Sequence, residues 1–434
     1  MEEKRLDFKL GFVSLVTGLL VGVVVSGFRL AIPFLMGMVG KLLQFGQQSL
    51  LHSLLFIFIF ATIGVVVSWN VKKEPMIGGS GIPQVAGKLS RQLDFSWFSV
   101  LIHKLMGGIL TIGSGLTVGR EGPSVQIGAA IGQGIAEKSH LNSQNQRYLI
   151  VGAASAGMAA AFNSPISGII FALEELLKQT SRRGFLASSL IIITSTLVSI
   201  ILLDNTFTLT IPISLELPVR DYPFLIILGM VIGLSGVLFN RVILWGKRVY
   251  ARWHVPVVIK CSFPFVVTAL FLLWDPSLLG SGDHYILMPF HENIALASLL
   301  SVYLIKLFLL VVAFSSGLPG GIFFPLLALG SLAGNIVGTS LSMGGLIDQN
   351  TLLVFTVISM AAHFAAIVRA PLTGIFLILE MTGGSIRYLL PLAMVTFVAY
   401  LVAELFHSEP IYESLLGLML ANEKEEGRDK YGKN

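Results

Sequence analysis

Apolar stretches that recur from end to end, yet are repeatedly cut short by glycine and proline, confine this chain to a lipid environment. They lie near residues 11–39, 51–69, 97–116, 124–136, 147–162, 166–177, 185–203, 222–245, 258–274, 297–314, 321–341, 352–368, 372–381 and 388–406. Several fall well below the ~20 residues that a straight bilayer span requires. Interruptions fall at Gly79–Pro83, Gly119–Pro123, Pro165, Pro319–Pro325 and Pro371. Broken helices that end at membrane depth are tolerated only where protein encloses them around a cavity. Composition agrees, with 54% of residues hydrophobic and 12% charged, against about 25% charged in soluble domains. The expectation is an all-α integral membrane protein. Residues 1–434 form one transmembrane domain, ending in a short charged tail over 419–434, with no C-terminal regulatory domain.

The net charge of +5 is scattered over short loops and both tails. No basic stripe interleaved with aromatic residues is present, so this charge reads as membrane orientation and not as a nucleic-acid surface. The single cysteine, Cys261, excludes an internal disulfide and a cysteine-based metal site. It reads as a small apolar residue near a helix. Lys4, Arg5 and Lys9 ahead of the run from Gly11 to Gly27 imitate a secretory leader. The many apolar segments that follow make an uncleaved first membrane helix the better reading.

The chain also repeats itself. Ser114-Gly115-Leu116 recurs as Ser316-Gly317-Leu318, and Gly119, Pro123, Gly128 and Gly132 recur as Gly321, Pro325, Gly330 and Gly334, all 202 residues on. Pro165, Gly168, Ile169 and Glu174 recur as Pro371, Gly374, Ile375 and Glu380, 206 residues on. Two consecutive blocks with near-equal offsets define repeats over 11–203 and 222–418. Broken segments at matching places in two halves put a substrate site at their interface. Lys178, Arg182 and Arg183 follow the first block closely, whereas Arg387 alone follows the second at similar distance. By the positive-inside tendency, Glu174 and Glu175 lie toward the cytoplasm and Glu380 toward the opposite face, so the halves are inverted.

Gly119-Arg120-Glu121-Gly122-Pro123 holds the charge that most needs a reason. A charged side chain at the bilayer centre costs about 2.5–3.5 kcal/mol on insertion scales, and so marks an ion or proton pathway. The helix that follows, from Ser124 to Ala130, offers unpaired N–H groups and a positive dipole end, which attract anions. Glu121 can fill that anion seat with its own carboxylate and leave it when protonated. One side chain then makes a gate. The competing reading is an ion pair with Arg120, disfavoured because adjacent residues at a helix start seldom face each other.

Two further glycine–proline motifs accompany it, Gly79-Ser80-Gly81-Ile82-Pro83 and Gly320-Gly321-Ile322-Phe323-Phe324-Pro325. Glycines at 79, 81, 119 and 122 let the backbone turn and approach an ion closely. Ser80 supplies a hydroxyl donor that suits a halide; its alternative is an ordinary helix cap. Ile322 and Phe323 begin the matching helix of the second half, so their N–H groups can face the same ion. With Tyr412 near the C-terminus, the set closely resembles the CLC family of chloride channels and chloride/proton exchangers. The resemblance runs from the first membrane helix to about residue 418.

That resemblance implies two inverted-topology repeats of tilted and broken helices, a homodimer with one pathway per subunit, and neither cofactor nor metal. It assigns Ser80, Gly81, Ile322, Phe323 and Tyr412 to chloride binding. It assigns Glu121 to the gate that competes with chloride and carries the proton on the outer side. Glu175, in Phe171-Ala172-Leu173-Glu174-Glu175-Leu176, resembles the internal proton acceptor of the exchangers, which family channels generally lack. A carboxylate in apolar surroundings favours its neutral form, which suits that role; the alternative is a solvated acid at a helix end. Tyr412 has an alternative as an interfacial anchor. Glu174 reads as structural, because Glu380 occupies its equivalent place and Met381 replaces Glu175 there.

The implied function is a secondary-active antiporter moving chloride one way and protons the other, multi-pass in a cell inner membrane. A passive chloride channel on the same fold is the alternative, and Glu175 argues against it. A polytopic enzyme with Glu121 and Glu175 as paired acids would need a nucleophile with its base or a metal cluster, and neither is present. Within the family, serine at position 80 favours chloride over nitrate or fluoride. Gln84 and Ala86 depart from the acids that several bacterial exchangers place just after the serine motif. Lys104 then lacks an acidic neighbour there, and we expect it beside Glu175, where its charge would act on proton uptake. Phe324 is bulkier than the residue usual at its motif position. Gly128–Gly132 and Gly78–Gly81 imitate phosphate loops without the Lys-Ser/Thr pair that such loops need. His103, His363 and His407 read as packing residues.

Overall fold

Each apolar stretch becomes helix, because backbone groups at membrane depth must bond within their own segment. The structure is a computed structural model and describes residues 8–177, 181–204, 209, 217–292, 294–384 and 386–431. Lys178, used above for orientation, and tail residues 432–434 lie outside the described residues. The first half runs α1 (Phe8–Gly46), α2 (Leu50–Lys73), α3 (Ile82–Leu89), α4 (Trp97–Gly113), α5 (Glu121–Lys138), α6 (Ser143–Phe162), α7 (Pro165–Phe171) and α8 (Arg182–Leu203). The second runs α9 (Tyr222–Arg252), α10 (Val257–Trp274), α11 (Asp283–Leu287), α12 (Leu296–Ser315), α13 (Phe323–Met343), α14 (Gln349–Val368), α15 (Pro371–Thr382) and α16 (Leu389–Leu405). The same eight helices recur in the same order, and α17 (Ile411–Tyr431) follows as an addition. Among the described residues, eight helices are long and apolar enough to cross a membrane.

Packing follows the repeat. α5 lies on α6 as α13 lies on α14, and α1 lies on α8 as α9 lies on α16. α2 meets α10, α5 meets α13 and α7 meets α15, each element against its own counterpart, as a twofold relation demands. The repeated glycines mark the close crossings. A Cβ at Gly132 would reach the Leu149 carbonyl at 2.8 Å, and one at Gly330 the Ser359 carbonyl at 2.9 Å. Small residues let membrane helices approach to backbone contact, where dispersion and polar contacts hold them.

One further repeat emerges in three dimensions. Gly280-Ser281-Gly282 matches Gly79-Ser80-Gly81, 201 residues on. Gly79 and Gly81 have φ of 66° and 95°, Gly280 and Gly282 of 79° and 111°, a region that glycine enters without strain. A buried lysine organises each turn. Lys104 donates to the Ile77 and Gly79 carbonyls at 2.7 and 2.8 Å, and Lys306 to the Leu278 and Gly280 carbonyls, both at 2.8 Å. This corrects the expected place of Lys104 beside Glu175. With alanine at 86, the buried ammonium is satisfied by backbone oxygens, which turn the serine loop instead of acting on an acid.

Glu174 and Glu380 hold the halves together reciprocally. Glu174 accepts from the Leu372 and Thr373 N–H groups at 3.1 and 2.8 Å and from the Thr373 hydroxyl at 2.7 Å. Glu380 accepts from the Ile166 and Ser167 N–H groups at 2.9 and 2.8 Å and from the Ser167 hydroxyl at 2.6 Å. Each carboxylate caps the start of the other half's short helix, where orphan N–H groups and the dipole favour negative charge. Glu174 is therefore structural, as its repeat partner implied.

Candidate functional site

The three glycine–proline loops converge. The Gly79 N–H donates to Leu318 O at 3.0 Å, and the Gly320 N–H to Gly79 O at 3.1 Å. Gly119 and Gly321 exchange two N–H···O bonds, both at 2.7 Å. These bridges tie both first-half loops to the second-half loop, so the starts of α3, α5 and α13 meet. Each start brings N–H groups without an intrahelical partner and a partial positive charge.

The carbonyls of residues 76–79, which lead into Ser80, are each occupied by a side-chain donor. Met76 O accepts from Gln126 at 2.8 Å and Gly78 O from Gln84 at 2.6 Å, while Lys104 holds those of Ile77 and Gly79. Oxygens that would repel an anion are thus engaged elsewhere, and donors remain. Gln84, the departure from the family's acids, serves in this way.

Ser80 and Tyr412 supply hydroxyls. Both are buried, at 2% and 1% exposure, and they neighbour each other. Neither oxygen has a protein partner in hydrogen-bonding geometry. A buried hydroxyl without a partner costs about 1–3 kcal/mol, so this pair fits a ligand that accepts hydrogen bonds. Tyr412 is placed by a pinned turn. Asn240 donates to Ser408 Oγ at 3.2 Å and Glu409 O at 3.1 Å, and Arg369 to Ser408 O at 2.6 Å. That pinned position, buried beside Ser80, is not an interfacial anchor's.

Glu121 opens α5 with 1% exposure. Its Oε2 is buried without a hydrogen-bond partner, and both it and the Phe324 N–H lie against Gly119. Arg120 Nε stands 3.8 Å from Oε1, so the disfavoured neighbour pair does form, loosely. Arg120 is the N-cap of α5, and its long side chain reaches back to the neighbouring carboxylate. Gly122 abuts Ser80: a Cβ there would collide with the serine hydroxyl. Glu121 and Ser80 are therefore close neighbours.

Ile322 and Phe323 lie fully buried at the start of α13. Sequence reasoning named these two and missed Phe324, whose N–H lies beside Gly119 together with the Glu121 carboxylate. The signal was Pro325, which has no N–H and makes Phe324 the last free donor of that start. The bulk of Phe324 stacks on Phe162 with ring centroids 6.4 Å apart, and Phe323 packs on Phe364 at 4.7 Å. Glu175 sits half-buried in the π-helical turn Ala172–Leu177 that continues α7. It lies within electrostatic reach of the Tyr412 hydroxyl. π-turns interrupt helices mostly at functional sites. Cys261 and His363 are buried packing residues, His363 bonding to Leu326 O at 2.7 Å. Among the described residues, no cluster of His, Cys, Asp or Glu could hold a metal.

Two cavities approach the cluster and share no lining residue. One, of about 510 Å³, is bounded by Arg120, Glu121, Phe324, Ser281, Asp283 and His284. The other, of about 170 Å³, is bounded by Gly79, Ser80, Gln84, Lys247, Arg248 and Phe314. Sequence reasoning passed over Lys247 and Asp283, because neither lies in a glycine–proline motif.

Two inverted halves, helix starts and hydroxyls around one seat, a carboxylate beside it and a cavity on either side define an anion-translocating membrane protein. A family model described as voltage gated chloride channel matches residues 63–404. The chain is 32% identical over 444 residues to the H(+)/Cl(-) exchange transporter ClcA of Salmonella typhimurium, covering 99% of this chain and 93% of that one. It matches the X-ray structure of a slow cyanobacterial Cl-/H+ antiporter with TM-score 0.90 and 29% identity, over 96% of this chain and 99% of that chain. A CLC-type fluoride/proton antiporter matches with TM-score 0.77 and 26% identity, over 93% and 97%. A eukaryotic CLC transporter at 22% identity, with TM-score 0.78, shares the fold over 94% of this chain and 73% of its own. The chain belongs to the voltage gated chloride channel family, the CLC family.

Proposed function

We propose that this chain is a chloride/proton antiporter, one transmembrane domain with Ser80, Gly81, Ile322, Phe323 and Tyr412 around the anion. Glu121 is its gate and outer proton carrier, and Glu175 its inner proton acceptor. The reading rests on one observation above the others: the buried Glu121 carboxylate, its Oε2 without a hydrogen-bond partner, lies close to the Phe324 N–H and beside the orphaned Ser80 and Tyr412 hydroxyls. Carboxylate and halide compete for the same donors. Ionised, Glu121 takes them and excludes the anion. Protonated, it is a poor acceptor, moves into the 510 Å³ cavity and leaves the seat to chloride. The exchanger names of the relatives and a serine at 80 support chloride as the anion. Glu175 near Tyr412 supports proton coupling over passive conduction.

The Ser80 cavity is the cytoplasmic one in this reading. Lys247 and Arg248 border it, and Lys72, Lys73 and Arg252 end α2 and α9, in keeping with the positive-inside rule. The protein is then a multi-pass component of a cell inner membrane and, by family resemblance, a homodimer. In liposomes under opposed pH and chloride gradients, the parent protein drives protons uphill and the Glu121→Gln variant moves chloride alone. Proton pumping that persists in the variant would remove Glu121 from the mechanism.

A further inference from the structure

The 510 Å³ cavity holds a second carboxylate that the exchange reading leaves without a role. Asp283 opens α11, directly after the Gly280-Ser281-Gly282 turn that mirrors the serine loop. In the first half the corresponding position, 201 residues back, is the apolar Ile82. Asp283 is exposed, and Ser281 Oγ donates to its Oδ2 at 2.8 Å. That bond and the lysine-held turn beneath fix the carboxylate on the wall that Glu121 also lines. The two carboxylates interact electrostatically across the cavity.

We propose that Asp283 is the outer proton relay of Glu121, taking protons from bulk water and passing them through the shared cavity to the gate. Hydronium protonates the Asp283 carboxylate and leaves as water. The proton then passes along cavity water to the Glu121 carboxylate, and Asp283 returns to its ionised form. Net transfer is one proton, and the reverse sequence discharges it. The geometry favours Asp283 over its neighbours. Arg29 of α1 and Arg120 of α5 are cations facing Glu121. Lys306 of α12 is committed to two carbonyls. α13 faces the gate with Phe324, and Tyr412 of α17 lies beside Ser80. His284, exposed beside Asp283, stacks edge-on against Tyr285 at 5.3 Å.

The proposal rests on the exchange reading, and its test separates the two. Proton uptake is measured in liposomes of fixed inner pH while the outer pH is varied. Parent and variants are reconstituted by one procedure, so the share of inverted copies is common to all and the Asp283 variants differ in the copies whose Asp283 faces the outer solution. Removing a negative charge makes Glu121 harder to protonate from outside. Asp283→Asn therefore moves the outer-pH midpoint down by about half a unit, the scale of one charge acting through water-filled space. Uptake at alkaline outer pH falls severalfold, and Asp283→Glu restores the parent profile. A profile for Asp283→Asn that superimposes on the parent, or a shift that glutamate fails to reverse, overturns the relay. Proton pumping by Glu121→Gln in the same assay removes Glu121 from the proton path and the relay with it, whereas a parent protein that pumps no protons overturns the exchange reading itself.

Discussion

Replacing Lys104 with methionine separates two accounts of the serine loop. The ammonium is fully buried and holds the Ile77 and Gly79 carbonyls. Gly79 O keeps the Gly320 N–H at 3.1 Å after the change, so only Ile77 O is fully orphaned, at about 1–3 kcal/mol. Much of that is offset, because a buried charge is removed at the same time. The larger effect falls on the anion. Lys104 bonds the carbonyl of the residue next to Ser80, so its loss frees the turn that presents the Ser80 hydroxyl. Losing the two bonds that shape the loop weakens chloride binding by about 1–2 kcal/mol, or roughly five- to thirtyfold. Chloride titration calorimetry on purified protein reads this directly. The pH profile of proton flux stays where it was, because the lysine acts on the loop and not on Glu175. Lys306→Met is the matched control. It breaks the equivalent bonds at Leu278 and Gly280, next to Asp283 and Asp275, and leaves chloride affinity within about threefold. A Lys104→Met variant with unchanged chloride affinity and a displaced pH profile would refute the reasoning.

Two further outcomes follow from named contacts. Glu174→Gln and Glu380→Gln each remove a charged acceptor from two N–H groups and a hydroxyl, lowering stability by about 1–3 kcal/mol. Because α7 and α15 pack together, the double variant departs from additivity by at least about 0.5 kcal/mol; unchanged melting in both single variants would discount the caps. Asp348 caps α14 at the membrane surface, and the Thr351 N–H at 2.8 Å holds its carboxyl below the ordinary value. Its contribution is present above about pH 4 and lost as pH falls through the folded value. Asp348→Ala therefore melts earlier than the parent at pH 7 and draws level as the solution is acidified, as thermal unfolding in detergent will read.

The helices, their breaks and the twofold repeat were legible because each leaves a local mark. Apolar length, proline and glycine are one-dimensional signals of what backbone can do in lipid. Glu121 could be singled out for a similar reason, as a charge beside a helix break, whereas Ser80, Ile322, Phe323 and Tyr412 were named through the family resemblance of their motifs. What stayed hidden were contacts whose acceptors have no side-chain code. Lys104 bonds carbonyls, which any residue type provides, so its partners could not be read from identity. The Phe324 amide is equally anonymous. The π-turn that carries Glu175 depends on one extra residue of spacing, with no proline or glycine to mark it. The Gly280-Ser281-Gly282 echo escaped because Asp283 and His284 stand where its first-half partner has Ile82 and Pro83.

The crossed glutamates also constrain biosynthesis. The start of α7 is completed by a side chain separated from it by 214 positions along the chain. A nascent polypeptide leaving the translocon must hold that terminus unfinished until Glu380 has been translated. Neither moiety can mature first, and a gene divided between them would encode two orphans obliged to meet in the bilayer before either settled.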